Sequence, residues 1–274
     1  MAVGLEDIKK LRTMTGAGLG DCKKALAEAE GNIEAAIEII RKKGQAVAAK
    51  RSDREASEGC VLCKAENGIG AIIALKCETD FVAKNADFVK LAQDILDAAV
   101  AAKCKTLDEV KALPMGNGTI AEAIVDRSGI TGEKMELDGY SVIESDHISC
   151  YDHQGKHMLC TMVALNKEVD PAYGHAVAMQ VAAMNPVSLS ENDVPENIKT
   201  QEFEIAADKA RQEGKPENMI ERIAQGRMQK FYKEACLLNQ EFIQDSKISV
   251  SEYLKQADKE CTVTAFKRFT LRAE

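Results

Sequence analysis

Leu5, Ile8, Leu11 and Met14 recur at every third position near the start of the chain, a spacing that predicts one stripe of a helix. Thr15-Gly16-Ala17-Gly18 interrupts it. A second helix is expected from about Gly20 to Ala29, with Cys22, Ala25, Leu26 and Ala29 on one face. Gly31 suits the left-handed position beyond its end, and Asn32 suits the cap of a third helix carrying Ile33, Ala36, Ile37 and Ile40. Three helices in so short a stretch predict a minimal bundle.

From Gly59 the period falls to two, or to unbroken apolar runs. Segments 60–66 and 69–77 flank Asn67-Gly68, a strong two-residue hairpin signal. A polar loop over 77–85 leads to a helix over 87–102 with the stripe Phe88, Leu91, Ala92, Ile95, Leu96 and Ala99. Shorter helices are expected at 107–113 and 119–127, separated by Pro114 and Gly116-Asn117-Gly118. The pattern then recurs. After a strand at 140–144, segments 148–151 and 157–165 flank a turn at 152–155, and a helix follows over 171–184. Hairpin-then-helix thus occurs near 59–102 and near 147–184, a weak internal duplication of architecture with no sequence identity behind it.

Asn185-Pro186 ends that helix. Two charged amphipathic helices follow, over 198–213 and 216–235, split by Gly214-Lys215-Pro216. The short connection predicts an antiparallel pair that interrupts the second hairpin unit and projects as an arm. A helix over 249–257 and a strand over 261–272 close the chain, and that strand pairs most simply with the second unit. The sum is an α+β fold with an inserted helical hairpin.

Composition narrows the function. The 274 residues suggest about two domains, and 45% apolar with 29% charged residues is ordinary for a globular protein. Aromatics reach only 4%, with no Trp, which argues against a sugar-stacking lectin, an aromatic-rich single-strand binder or a large stacking cofactor pocket. A net charge of −8 disfavours a broad nucleic-acid surface. Nine Cys at scattered spacings are a poor disulfide framework. With no leader-like opening and no long apolar run, the expectation is a cytoplasmic protein with free thiols and no membrane span.

Catalytic patterns are weak. Cys60 and Cys63 lack the second close pair of a zinc ribbon and sit in an expected strand, where positions three apart face opposite ways. His147, His153, His157 and His175 lack metal-ligand spacing. Gly16-Ala17-Gly18-Leu19-Gly20 follows a helix and not a strand, unlike a phosphate loop. The segment 41–54 carries six Lys/Arg against Asp53; a solvated helix end and linker is preferred there over a basic patch for RNA. Thr79-Asp80-Phe81-Val82 stands out between a strand and a helix. The residues alone favour Phe81 as core, with Thr79 or Asp80 as a helix cap. The competing reading is an exposed apolar wedge with an acid beside it.

Longer motifs bear on that choice. Leu11-Arg12-Thr13-Met14-Thr15-Gly16-Ala17-Gly18 with Asp21-Cys22-Lys23-Lys24-Ala25-Leu26 resembles the amino-terminal signature of the bacterial elongation factor Ts family. Cys77-Glu78-Thr79-Asp80-Phe81-Val82-Ala83-Lys84 resembles its second signature. His175-Ala176-Val177-Ala178-Met179-Gln180-Val181-Ala182-Ala183 with Pro186, and then Gly214-Lys215-Pro216 and Gly226-Arg227-Met228, resemble later stretches of the family in the same order. The resemblance covers essentially the whole chain.

It implies a three-helix, UBA-like bundle over 1–52 and a core of two similar hairpin/helix subdomains, over 56–140 and over 141–186 with 236–274. The helical hairpin, over 187–235, serves as an arm or a homodimerisation module. It implies a guanine-nucleotide exchange factor for elongation factor Tu, not an enzyme, needing no cofactor or metal and no direct nucleic-acid contact. The exchange wedge falls on Thr79, Asp80, Phe81 and Val82, with Phe81 entering a helix seam of Tu near its magnesium and Asp80 disturbing the ion's surroundings. Tu contacts fall on Arg12, Leu19 and Gly20, and on His153 for another Tu domain. Leu19-Gly20 keeps one apolar group where the family pattern has a bulky pair. Two rival functions are a thiol or zinc protein using Cys60 and Cys63, and an RNA-binding adaptor using 41–54.

Overall fold

The computed structural model describes residues 4–271. The chain divides into two compact units. One gathers the residues up to Leu62 with Ile73–Ser141; the other gathers Cys63–Ile72 with Val142–Thr270.

In the first unit, α1 (Leu5–Thr15), α2 (Leu19–Glu28) and α3 (Ile33–Lys50) share a core of Ile8, Leu11, Ala17, Cys22, Ala25, Leu26 and Ala36. Asn32 caps α3, its side chain accepting from the Ala35 amide at 3.1 Å, and Gly31 takes the left-handed φ of 88° between α2 and α3. The stripe on α1 is narrower than its spacing suggested. Ile8 and Leu11 are buried, but Leu5 and Met14 are 65% and 57% exposed. Steps of three residues fall about 60° short of a turn, so the three steps from Leu5 to Met14 drift about 180° around the helix. The segment 41–54 also differs from a linker, since α3 continues through Lys50 before the chain turns.

The hairpin of β1 (Glu58–Glu66) and β2 (Ile69–Cys77) follows, then α4 (Asp80–Ala83) and α5 (Ala86–Ala101). Phe88, Ala92, Ile95, Leu96, Ala99 and Val100 form the buried side of α5. Next come α6 (Leu107–Ala112), the two-residue strands β3 (Pro114–Met115) and β4 (Gly118–Thr119), α7 (Ile120–Thr131) and β5 (Met135–Glu144). β5 is longer than the alternation at 140–144 suggested, and it lies beside β2 in the sheet order β1-β2-β5.

α3 packs on α7 at two glycines. A Cβ placed on Gly129 would lie 2.0 Å from the Cα of Gly44, whereas one on Gly44 would meet the Gly129 Cα at 3.3 Å. The backbones therefore touch. Arg41 closes the same seam, with Nη2 at 2.9 Å from Glu122 and Nε at 3.5 Å from Asp126.

In the second unit, β6 (Ile148–Asp152) and β7 (Leu159–Leu165) form an antiparallel pair covered by α8 (Pro171–Met184), as the sequence pattern predicted. The helical hairpin α9 (Glu196–Gln212) and α10 (Glu217–Ala235) interrupts this unit and packs on itself through Ala206, Ala207, Ala210, Ile220 and Ala224. Its entry and exit are tied together. Ser188 bridges Cys236 in parallel, and the Leu237 and Leu238 amides donate to the Ser188 and Leu189 carbonyls at 2.9 and 3.0 Å. The chain then forms β8 (Glu241–Phe242), β9 (Asp245–Ser249), α11 (Val250–Ala257) and β10 (Val263–Thr270). β10 pairs with β7, giving the order β10-β7-β6 and placing the last strand in the second unit. Buried Gln180 on α8 ties this part together, donating to Gln240 Oε1 at 3.1 Å and accepting from the Ile243 amide at 2.8 Å.

The glycine crossing yields an asymmetric expectation. Gly129→Ala should lower the unfolding free energy by about 1–3 kcal/mol, because overpacking against backbone has no flexible group to absorb it. Gly44→Ala should fall within about 1 kcal/mol of the parent, since alanine's helix preference offsets the milder contact. Urea unfolding of the two variants measures the difference.

Candidate functional site

The strand-to-helix connection after β2 carries the residues of interest. Thr79 caps α4, its hydroxyl accepting from the Val82 amide at 3.4 Å. Asn85 caps α5, accepting from the Asp87 amide at 2.9 Å. The connection is thus a single helical turn held between two caps.

Its base is gripped from two sides. The Glu78 carboxylate accepts from Arg51 Nη1 at 2.9 and 3.0 Å, from Arg54 Nη1 at 3.3 Å and from the Lys134 amide at 2.6 Å. Burial works against the charged form of Glu78, but the Lys134 amide and the two guanidinium groups outweigh it and hold the carboxyl below its ordinary range. Thr79 is held by Glu133, to which it donates from its amide at 3.1 Å and from its hydroxyl at 2.6 Å. The Cys77 thiol donates to the Thr79 carbonyl at 3.2 Å, and burial with the nearby Glu133 charge pushes that thiol up to about 12.

Phe81 stands on this turn 84% exposed. It is not core, and the reading of it as a buried cover for the helix end is corrected. The reason is local. A four-residue helix can bury one side only; Val82 and Ala83 are half-buried while Phe81 faces outward. Leaving a phenylalanine in water forgoes about 1.5–3 kcal/mol of burial. Beside it, Asp80 pairs with Lys84 at 2.6 Å, and the hydrogen bond from Lys84 holds its carboxyl low. The turn therefore presents a ring next to an ionised carboxylate.

The other candidate residues are also at the surface. Arg12 is exposed near the end of α1, and Leu19, 49% exposed, begins α2 beside exposed Gly20. His153, in the second unit, is exposed in the turn after β6, its Nδ1 at 3.0 Å from the Tyr151 hydroxyl. Glu133, Arg51 and Arg54 were not legible as supports of the turn. Glu133 lies 54 positions from Thr79, and no local spacing links them.

Comparison with known proteins settles the family. A model described as "Elongation factor TS" matches residues 78–273. Proteins named elongation factor Ts from Phocaeicola vulgatus and Porphyromonas gingivalis are each 54% identical to the chain, over 330 and 275 aligned residues, with both chains covered in full. One of the same name from Azobacteroides pseudotrichonymphae is 46% identical over 275 residues, again covering both chains in full. The chain belongs to the elongation factor Ts family. Membership places it among factors of translation elongation, and the mixed helix and sheet architecture agrees with that assignment.

The rival readings lose ground on the same observations. Five of the six basic residues in 41–54 have acidic partners: Arg41 with Glu122 and Asp126, Lys42 with Glu38, Lys43 with Asp21, and Arg51 and Arg54 with Glu78. A run neutralised within the fold is a poor phosphate surface. Cys60 is 1% exposed while Cys63 is half-buried, as expected for opposite faces of one strand. Among the described residues no group of three or more His, Cys, Asp or Glu is arranged to hold a metal ion, and no helix is long and apolar enough to cross a membrane.

The Glu78 clamp carries a pH signature. Because the folded chain holds this carboxyl below the ordinary value of 4.5, its contribution is complete above that value and is lost as pH falls through the lower, folded one. Glu78→Gln should lower stability at neutral pH by about 1–3 kcal/mol. It should also flatten the acid side of the stability profile, read as urea midpoints across pH.

Proposed function

We propose that this chain is the guanine-nucleotide exchange factor for elongation factor Tu, and that Phe81 and Asp80 are the parts that act on the nucleotide site. The observation that carries this reading is Phe81, 84% exposed on a turn anchored at both ends. An apolar ring held away from its own core gains burial only by entering another protein. In Tu it would enter a seam between helices near the magnesium. Magnesium demands near-ideal octahedral geometry, so a small shift of its surroundings weakens it. Asp80, kept ionised by Lys84, brings a negative charge toward the same network. Loss of magnesium weakens GDP, and by reciprocity GDP and the exchange factor each lower the other's affinity for Tu. The chain would act by binding and release, with no bond made or broken.

The remaining contacts follow the same reading. Arg12, Leu19 and Gly20 on the amino-terminal bundle, of UBA type in this proposal, would meet the GTPase domain of Tu. His153 would meet another Tu domain, and the α9–α10 hairpin would serve as an arm or a homodimer contact. The functional divisions are residues 1–52, 56–140, 141–186 with 236–274, and 187–235. The setting is the cytoplasm, and RNA is not bound directly.

GDP release from Tu tests the reading. Substoichiometric chain should accelerate release through many turnovers. Phe81→Ala should cut the accelerated rate by about 10–100-fold, the equivalent of one lost buried ring, and Asp80→Ala should reduce it as well. If both variants stay folded and release GDP at the parental rate, the wedge is wrong.

A further inference from the structure

All nine cysteines are free thiols; seven are buried, and Cys63 and Cys150 are half-buried. These two lie together in the second unit. The β6–β7 register pairs Cys150 with Met162 and Asp152 with Cys160, so Cys150, Cys160 and Met162 share one face of the sheet. The tip of the β1–β2 hairpin lies over that face. A Cβ on Gly70 would sit 3.1 Å from both the Ile148 and the Met162 side chains. In a hairpin closed by the two residues Asn67 and Gly68, Ala65 opposes Gly70, and Cys63, two positions on, shares their face. Cys63 therefore comes down on Cys150 and Cys160, with the Tyr151 backbone beside it.

The cluster is unequal. Cys150, then Cys160, favour the charged form of Cys63 against the cost of burial, and the Tyr151 backbone and His157 add to this, drawing the thiol down. Donation to Cys63, together with burial, pushes the Cys150 thiol up. Cys63 is thus the half-buried sulfur favoured as the nucleophile and Cys150 the thiol beside it, the division of roles that reactive thiol pairs use. Cys160 is fully buried, so it neighbours the Cys63 sulfur without meeting a reagent.

We propose that Cys63 is a hydroperoxide-reactive thiol with Cys150 as its resolving thiol, so that a hydroperoxide converts the pair to a Cys63–Cys150 disulfide. The Cys63 sulfur attacks one peroxide oxygen and the O–O bond breaks. The departing hydroxide takes a proton from solvent, the one Cys63 gave up on ionising, and Cys63 becomes a sulfenic acid. Cys150 then gives up its proton and attacks the Cys63 sulfur. The S–O bond breaks, and hydroxide leaves with that proton as water. Two thiols lose two electrons, and hydrogen peroxide is reduced to two waters.

The test uses the reduced full-length chain and equimolar hydrogen peroxide, followed by thiol titration and non-reducing peptide mapping. Two of the nine thiols should be lost, in a peptide linking Cys63 to Cys150 that dithiothreitol separates. This arm needs no variant. Cys150→Ser should leave Cys63 as a sulfenic acid captured by dimedone, and Cys63→Ser should retain all its remaining thiols. A linked pair lacking either Cys63 or Cys150, equal thiol loss in Cys63→Ser, or no loss in a large peroxide excess would overturn the proposal.

Discussion

The first unit depends on the contact between α3 and α7 at Gly44 and Gly129. There the backbones of two helices meet without an intervening side chain, and the residues that grip the base of the Phe81 turn lie just past the ends of the same two helices. Seven residues past Gly44, α3 gives way to Arg51 and then Arg54, which hold Glu78. Four residues past Gly129, α7 has ended and Glu133 takes the amide and hydroxyl of Thr79, while the Lys134 amide reaches Glu78. Each grip has donor–acceptor distances near 3 Å. Such lengths tolerate little change in helix spacing before the bonds weaken.

That arrangement explains how an exposed aromatic can stay presented. A single helical turn has little stability of its own, because nucleation fixes several dihedrals for one hydrogen bond. Here the turn is capped by Thr79, followed by a second cap at Asn85, and fastened at its base by charge-assisted bonds. The ring projects from a support that is already ordered, so less entropy is lost when it docks.

Most elements were legible because their signals are local. α8 was read over its full length from its apolar pattern, Pro171 and the following Asn185-Pro186. The Asn67-Gly68 turn fixed the first hairpin. Three things were not legible, for one reason. The exposure of Leu5 and Met14, the continuation of α3 through the basic run, and the Glu133–Thr79 pair all depend on which distant surface a residue meets. Periodicity reports only which residues share a face. Phe81 shows the limit most clearly. Its neighbours alone favoured burial, and the long family motif, not the local pattern, pointed to the exposed position the structure shows.

The paired ends of the α9–α10 hairpin carry a different kind of consequence. Since Ser188 and Cys236 already lie side by side, the chain leaves and re-enters the second unit through a single doorway. What happens beyond the doorway places no demand on the path behind it. The hairpin is in this sense a cassette, whose length can change by whole turns in both arms or be replaced by a tight connection while the surrounding sheet keeps its register.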